Sequence, residues 1–213
     1  MIKTIGILAH VDAGKTSLSE QILYHTKAIR NRGRVDHKNT FLDNYEVERK
    51  RGITVFSKIA RFLYNENEYF LVDTPGHVDF SGQMERSLDF LDYAILVVSG
   101  TQKFQSHTST VFKLLKKKNI PTFIFINKID SENFFIDEVI SDIKENLDSN
   151  IIDMTDEFKN EDFSEDVIDF IAERDEDLME VYFESGYNKK LWEDNLKKQI
   201  KENKIYPVFR GSA

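Results

Sequence analysis

The sequence predicts an α/β fold: a mostly parallel six-stranded sheet, helices on both faces, and an acidic helical insert before the last strand. Apolar runs such as 94–98 and 122–126 are typical of buried parallel strands. They alternate with segments of helical periodicity. Each polar motif follows the end of an apolar run, and in an open parallel sheet these ends share the edge where ligands bind.

The first strand, 4–9, leads through a loop into a predicted helix from about Lys15 to Ala28. The loop reads Ala9-His10-Val11-Asp12-Ala13-Gly14-Lys15-Thr16, and its strand–loop–helix context is that of a phosphate-binding loop. Its backbone N–H groups and the helix N-terminus attract phosphate. Lys15 can reach the β- and γ-phosphates, and the Thr16 hydroxyl can bind Mg²⁺.

Asp12 is unexpected inside such a loop, because phosphate repels a carboxylate unless a cation intervenes. We expect Asp12 to pair with a lysine or with a bound monovalent cation.

Residues 29–53 show no sustained periodicity, and a loop of this length is usually functional or disordered. Strands over 55–62 and 69–72, joined by a short turn, predict a hairpin. From Lys27 to Arg61 there are ten basic residues and four acidic ones. This excess fits a solvated loop or a surface that meets a phosphate backbone.

Asp73 follows the second hairpin strand and is suited to hold Mg²⁺ through water. Thr54 can complete the metal shell if the basic loop folds over the nucleotide. The N–H of Gly76 can approach a γ-phosphate, since glycine carries no side chain. His77 can orient the attacking water. Taken singly, Asp73 also fits an ordinary turn, Thr54 a strand start and His77 a loop histidine bonded to backbone.

Asn127-Lys128-Ile129-Asp130 follows the strand 122–126 and predicts base specificity. A carboxylate at Asp130 can accept hydrogen bonds from guanine N1–H and the exocyclic amine, a donor pair that adenine lacks. An ATPase or a small-molecule kinase is therefore disfavoured. Asn127 and the stem of Lys128 would shape the pocket, and the N–H groups of Ser212 and Ala213 would face the guanine oxygen.

Residues 131–204 form the predicted insert, with 23 acidic residues against 9 basic ones. Their apolar stripes predict helices that pack on the parent domain, and their charge keeps them away from RNA. The last strand is expected over 205–209.

Composition suits a cytoplasmic protein. The chain has 213 residues, 40% of them hydrophobic, and no cysteine, so it has neither disulfides nor thiol chemistry. No apolar run approaches the roughly 20 residues of a membrane span. We expect a monomer that does not interact with membranes.

With these motifs in place, the chain resembles the translational GTPases. Arg51-Gly52-Ile53-Thr54, Asp73-Thr74-Pro75-Gly76-His77 and the Asn127–Asp130 quartet match that superfamily. Within it, Glu48–Thr54 and Tyr206–Ala213 resemble the ribosomal protection proteins of tetracycline resistance, which are relatives of elongation factor G.

The resemblance implies a Ras-like P-loop GTPase domain spanning 1–213, with GTP or GDP and Mg²⁺ as ligands. His77 would be catalytic, and Thr16, Thr54 and Asp73 would hold the metal. The implied nucleotide-binding residues are His10, Val11, Asp12, Ala13, Gly14, Lys15, Thr16, Ser17, Gly76, Asn127, Lys128, Asp130, Ser212 and Ala213.

The resemblance also implies hydrolysis triggered on the ribosome, with large-subunit RNA near His77 and the basic segment 27–61. Two alternatives remain: an elongation factor G-like translocation factor, and a GTP switch that binds a non-ribosomal protein. Because family members continue with a further helix and more domains, we expect this chain to be a fragment with exposed apolar sheet surface.

Overall fold

The structure is a computed structural model that describes residues 1–31, 58–74, 81–102, 104–132 and 134–213, without side chains for 81–83. In these residues, seven strands form one sheet in the order β2-β3-β1-β4-β5-β7-β6. The strands are β1 Ile2–Ala9, β2 Lys58–Tyr64, β3 Asn67–Asp73, β4 Tyr93–Ser99, β5 Thr122–Asn127, β6 Ile151–Asp153 and β7 Tyr206–Arg210. Every neighbouring pair is parallel except β2 and β3, which form the predicted hairpin.

The described part of the chain contains eight helices. They are α1 Lys15–His25, α2 Ser81–Leu88, α3 Ser106–Lys117, α4 Ile136–Asn146, α5 Thr155–Asn160, α6 Glu165–Ala172, α7 Glu176–Ser185 and α8 Lys189–Lys201. The predicted α/β class is confirmed, and helices lie on both faces of the sheet.

Alternation along β1 explains the two faces, because successive side chains of a strand point to opposite sides. Leu8 belongs to the core that contains residues of α2, α3 and α4. Ile7 and Ala9 belong to the core formed with Leu18 and Leu23 of α1. Both cores are well buried, so β1 is fixed between two layers of helices.

The insert differs from the prediction in one respect. The sheet has seven strands rather than six, because β6 interrupts the segment expected to be helical and pairs with β7. A strand of three residues is too short to produce a periodic signal.

The helix predicted to run to Ala28 also ends earlier, at His25, where the Thr26 hydroxyl donates to the carbonyl of Ile22 at 2.7 Å.

The insert has its own core around Trp192, which is fully buried and donates from Nε1 to the carbonyl of Ile168 at 3.0 Å. This core also contains Met154, Val167, Ile171 and Leu178. Ile143 of α4, in contrast, packs with the main sheet. The insert helices α5 to α8 therefore form a unit that rests on β6 and β7.

A groove of about 480 Å³ runs along the sheet face that carries α1. It is lined mostly by apolar side chains from α1, β2 and β5 and by the last residues of the chain. The lining residues are Leu18, Gln21, Ile22, His25, Thr26, Phe62, Tyr64, Phe125, Gly211, Ser212 and Ala213. The idea that a further helix covers this face stays a prediction. No helix among the described residues has the length and hydropathy to cross a membrane.

Candidate nucleotide site

The phosphate loop lies between β1 and α1, as the sequence predicts. Gly14 has φ 91°, a left-handed conformation that favours glycine, and as the N-cap residue of the helix that starts at Lys15 it contributes no side-chain cap. The first N–H groups of a helix have no acceptor within the helix. The helix dipole adds partial positive charge at the same point. The loop is therefore suited to bind an anion.

Gly14 is also required by the packing behind the loop. A Cβ atom at this position would lie 2.1 Å from Nδ2 of Asn127. A contact below about 3 Å between heavy atoms that are not bonded is repulsive. The close approach of the loop to β5 therefore depends on the missing side chain.

Lys15 and Asp73 meet at the end of the sheet. Ile7 of β1 pairs in register with Asp73 of β3, so the two strand ends lie side by side. The Lys15 ammonium forms a buried ion pair with the Asp73 carboxylate. Thr74 is held at the same edge, since its hydroxyl donates to the carbonyl of Ile7 at 2.8 Å. The candidate phosphate ligand and a candidate metal ligand thus share one location.

Asn127 connects three segments of this edge. Its Nδ2 donates to the carbonyl of Ala13 at 2.9 Å, and its Oδ1 accepts from the N–H of Ala213 at 3.0 Å. The side chain is almost fully buried, with 1% exposure. A buried amide is costly unless both ends are hydrogen-bonded, and here both are. Asn127 therefore fixes the phosphate loop and the end of the chain relative to β5.

Lys128 adds a second connection to the phosphate loop. It has φ 66°, and its ammonium donates to the carbonyl of Asp12 at 2.7 Å. The sequence predicted a role for the aliphatic stem of Lys128 but not for its charge. The fold brings Lys128 and Asp12 together although they are far apart in the chain, so no local sequence pattern could predict this contact.

Asp130 and Ser212 form the outer rim of the site. The Ser212 hydroxyl donates to Oδ1 of Asp130 at 2.7 Å. The Asp130 side chain is exposed, so its carboxylate is accessible to a ligand. Gly211 donates its N–H to the carbonyl of Ile126 at 3.0 Å, which attaches residues 211–213, the final loop, to β5. The quartet and the final loop are thus brought together as expected.

A lysine partner for the Asp12 carboxylate is not found among the residues that the structure describes. The Asp12 backbone is left-handed, with φ 63°, and the side chain is exposed. Lys128 contacts the carbonyl oxygen of Asp12 rather than its carboxylate. Within the described ranges, no ion pair includes the Asp12 carboxylate.

His10, Val11, Thr16 and Ser17 lie in or beside the phosphate loop, as predicted. Nδ1 of His10 is buried and has no hydrogen-bond partner among the residues described here. Thr54, Gly76 and His77 fall outside the described residues, and so does most of the basic segment, residues 32–57.

The geometry brings a phosphate loop, the Asn127–Asp130 quartet and residues 211–213 to one edge of the sheet, and comparison with known proteins gives the family. The chain belongs to the family of the elongation factor Tu GTP binding domain, whose sequence pattern matches residues 1–213. It is therefore a GTP-binding domain of the translational GTPases. The resemblance inferred from the motifs is confirmed.

Similar proteins include tetracycline resistance proteins. The chain is 40% identical over 227 residues to TetP of Clostridium perfringens, with 100% of this chain and 35% of TetP covered. It is 40% identical over 220 residues to TetM of Ureaplasma urealyticum and 38% identical over 220 residues to TetW of Butyrivibrio fibrisolvens. Each comparison covers the whole chain and 34% of the relative. The chain thus spans about a third of the length of these relatives.

One solved structure, of ttk003000868 from Thermus thermophilus, has the same fold. Its TM-score is 0.90 at 24% sequence identity, and the match covers 100% of this chain and 37% of the other. At this identity the likeness concerns the fold alone.

Replacing Gly14 with alanine tests the close approach of the phosphate loop. We expect Gly14→Ala to lower the free energy of unfolding by about 2–4 kcal/mol, since left-handed strain adds to the clash with Asn127. GDP affinity should fall at least about tenfold, because the first turn of α1 shifts away from the phosphates. Urea denaturation and calorimetric titration measure the two effects.

Gly186 provides a matched control. It also has a positive φ, 77°, although with ψ −169° it lies in an extended region that is almost exclusive to glycine, and an added Cβ would have nothing within 4 Å. Gly186→Ala should cost only the backbone strain, about 1–3 kcal/mol, and leave GDP affinity unchanged. An equal loss of GDP affinity in the two variants would contradict the role of the close approach to Asn127.

Proposed function

We propose that this chain is the Mg²⁺-dependent GTP-binding and hydrolysing domain of a ribosome-acting GTPase of the tetracycline-protection type. The observation that supports the nucleotide site most strongly is the buried Asn127 amide, which joins the phosphate loop to the end of the chain. The assignment to tetracycline protection draws on relatives that carry tetracycline resistance in their names. The protein would act as a monomer in the cytoplasm.

Base recognition is assigned to the rim of the site. The exposed Asp130 carboxylate would accept from guanine N1–H and the exocyclic amine. Ser212, which already donates to Asp130, would help to hold this carboxylate in place. The N–H groups of Ser212 and Ala213 would face the guanine oxygen, and the stem of Lys128 would cover the base.

The residues at the phosphate end suit a magnesium ion. Thr16 provides an alcohol and Asp73 a buried carboxylate, and hard oxygen ligands of this kind are what Mg²⁺ prefers. We propose Thr54 as a further ligand. When bound, Mg²⁺ neutralises charge on the phosphate oxygens. Lys15 would contribute its own positive charge to the β- and γ-phosphates.

Hydrolysis needs an oriented water more than it needs covalent chemistry. We assign this role to His77, and we assign to Gly76 an N–H contact with the γ-phosphate. Contact with large-subunit RNA would set His77 in place on the ribosome, and the basic segment 27–61 would meet the same RNA. The acidic insert would face away from it, because like charges repel.

A monovalent cation near Asp12 is part of the proposal. The support is the exposed Asp12 carboxylate in a loop suited to phosphate, where the Lys128 ammonium contacts the Asp12 carbonyl rather than its carboxylate. The cation would offset the repulsion between this carboxylate and the phosphates.

Asp130→Asn should change the base preference. We expect GDP affinity to fall about 30- to 1000-fold, because an amide presents a donor where guanine also presents a donor. Affinity for xanthosine diphosphate should rise relative to GDP, since xanthine carries an oxygen in place of the exocyclic amine. Competition titrations measure both ligands, with Asp137→Asn on α4 as a control for loss of an exposed charge. If the ratio of the affinities for GDP and xanthosine diphosphate is the same in the variant and the wild type, the assignment of Asp130 is contradicted.

The cation can be tested by exchange of salts. GTP turnover should be several-fold faster in potassium chloride than in the chloride of a bulky organic cation at equal ionic strength, because only the small ion fits beside Asp12. The same rate in both salts would rule out the ion.

The ribosomal role is tested with the full-length protein. Ribosomes should stimulate its GTP turnover, and His77→Ala should reduce the stimulated rate at least about 100-fold while GDP affinity stays constant. Cells that express the wild-type gene should grow under tetracycline, and those with the variant should not. Stimulated turnover without resistance would favour the translocation factor. No stimulation would favour a switch that binds a non-ribosomal protein.

A further inference from the structure

Arg210 lies directly behind the loop assigned to the guanine oxygen. It is the last residue of β7, and Gly211, Ser212 and Ala213 follow it without interruption. It also pairs in register with Ile126 of β5, one residue before Asn127. The side chain of Arg210 thus leaves the sheet at the point where the base pocket begins.

The guanidinium of Arg210 contacts the part of the acidic insert formed by β6 and α5. Its Nη2 donates to Oδ2 of Asp156 at 2.5 Å, and its Nε lies 2.9 Å from Oδ2 of Asp153. Nε has no hydrogen-bond partner within the described part of the chain, so the contact with Asp153 is an ion pair. The side chains of Arg210 and Asp153 are only about a quarter exposed, at 25% and 24%.

The backbone of Arg210 is held by the same segment of the insert. Its N–H donates to Oγ1 of Thr155 at 3.0 Å, and Thr155 is buried. The Thr155 hydroxyl in turn donates to Oδ1 of Asp153 at 2.6 Å, and its N–H donates to the same oxygen at 2.9 Å. Asp153, Thr155 and Arg210 therefore form a closed set of contacts that leaves little freedom at the end of β7.

Packing supports the same attachment. Phe158 of α5 meets Phe209 edge-on, with ring centroids 5.9 Å apart. The N–H of Met154 donates to the carbonyl of Val208 at 2.9 Å. Residues 151–160 of the insert thus pack along the last three residues of β7.

On the other side, the final loop reaches the base pocket. Ser212 is bonded to Asp130 and Ala213 to Asn127, as described above. One uninterrupted path of contacts runs from Asp156 through Arg210 to the two residues that face the base. A loop held at both ends loses less conformational entropy on binding than a free one.

We propose that Arg210 is a positioning residue for guanine recognition, through which the acidic insert sets the affinity of the final loop for the 6-oxo group. Arg210 suits this role because its planar guanidinium binds two carboxylates at fixed angles, which a lysine cannot do. This inference rests on the proposed nucleotide site.

The test compares two ligands on the whole 213-residue chain. GDP carries the 6-oxo group. The analogue 2-aminopurine riboside diphosphate keeps the exocyclic amine but lacks both the 6-oxo group and the N1–H, so each variant is compared with the wild type for each ligand separately. In Arg210→Ala, GDP affinity should fall about tenfold and affinity for the analogue no more than about twofold, since charge-assisted contacts of this kind are worth on the order of one tenfold step. Arg210→Lys should restore part of the GDP affinity. Asp156→Asn, which keeps the side-chain shape, should lower GDP affinity about threefold.

Lys198→Ala is the matched control. Lys198 pairs with Asp175 at 3.0 Å within the insert, so this variant also removes one ion pair between elements but lies outside the path to the base. Its affinity for both ligands should equal that of the wild type.

The outcomes separate the possible roles. Equal losses for GDP and the analogue in Arg210→Ala would mean that Arg210 merely stabilises the fold and would overturn the inference. Unchanged GDP affinity in that variant would overturn it as well. If the wild-type chain binds neither ligand, the proposed site itself fails, and the inference fails with it.

Discussion

The buried amide of Asn127 is the interaction on which the site depends. One planar group donates to the phosphate loop and accepts from the end of the chain, while its own backbone continues β5. An aspartate could not donate and a leucine could do neither, so only an amide of this length meets both demands. Removing it would leave the buried carbonyl of Ala13 and the partly buried N–H of Ala213 without this partner, and the two loops would no longer be fixed relative to each other.

The sheet makes this connection possible. β1 and β5 lie on either side of β4 and run parallel, so their carboxyl ends reach the same edge although more than a hundred residues separate Ala13 from Asn127. β3 brings Asp73 to Lys15 from the other side, and β7 brings the final loop. The insert then supports β7 from outside through β6 and α5. A site assembled from four strand ends gains its rigidity from the sheet, and each loop contributes only its chemistry.

Much of this could be predicted from the sequence because the signals were local. Apolar runs marked the strands, and the phosphate loop and the Asn127–Asp130 quartet carry residue types that their chemistry requires. The resemblance to translational GTPases joined these pieces into one site. The predicted strand 94–98 is one residue shorter than β4 at each end, and the predicted strand 122–126 is one residue shorter than β5 at its C-terminal end.

What could not be predicted depends on contacts between distant residues. β6 has three residues and is a strand only because β7 lies beside it. The Lys128 ammonium contacts Asp12, and the Arg210 guanidinium contacts Asp156 of the insert. Both pairs are far apart in the sequence. Lys128 contacts the carbonyl of Asp12, and the expectation that the Asp12 carboxylate pairs with a lysine or a monovalent cation stays a prediction. Thr54, Gly76 and His77 lie outside the described residues, and the roles assigned to them from the motifs stay predictions.

The central claim is that three distant segments form one nucleotide site held together by Asn127. Amide hydrogen exchange of the 213-residue chain, with and without GDP and Mg²⁺, tests this claim most directly. The claim predicts that the ligand slows exchange together in residues 12–17, 127–130 and 211–213, and that Asn127→Ala diminishes this protection in all three. Protection confined to the phosphate loop, or unchanged protection of 211–213 in the variant, would contradict it.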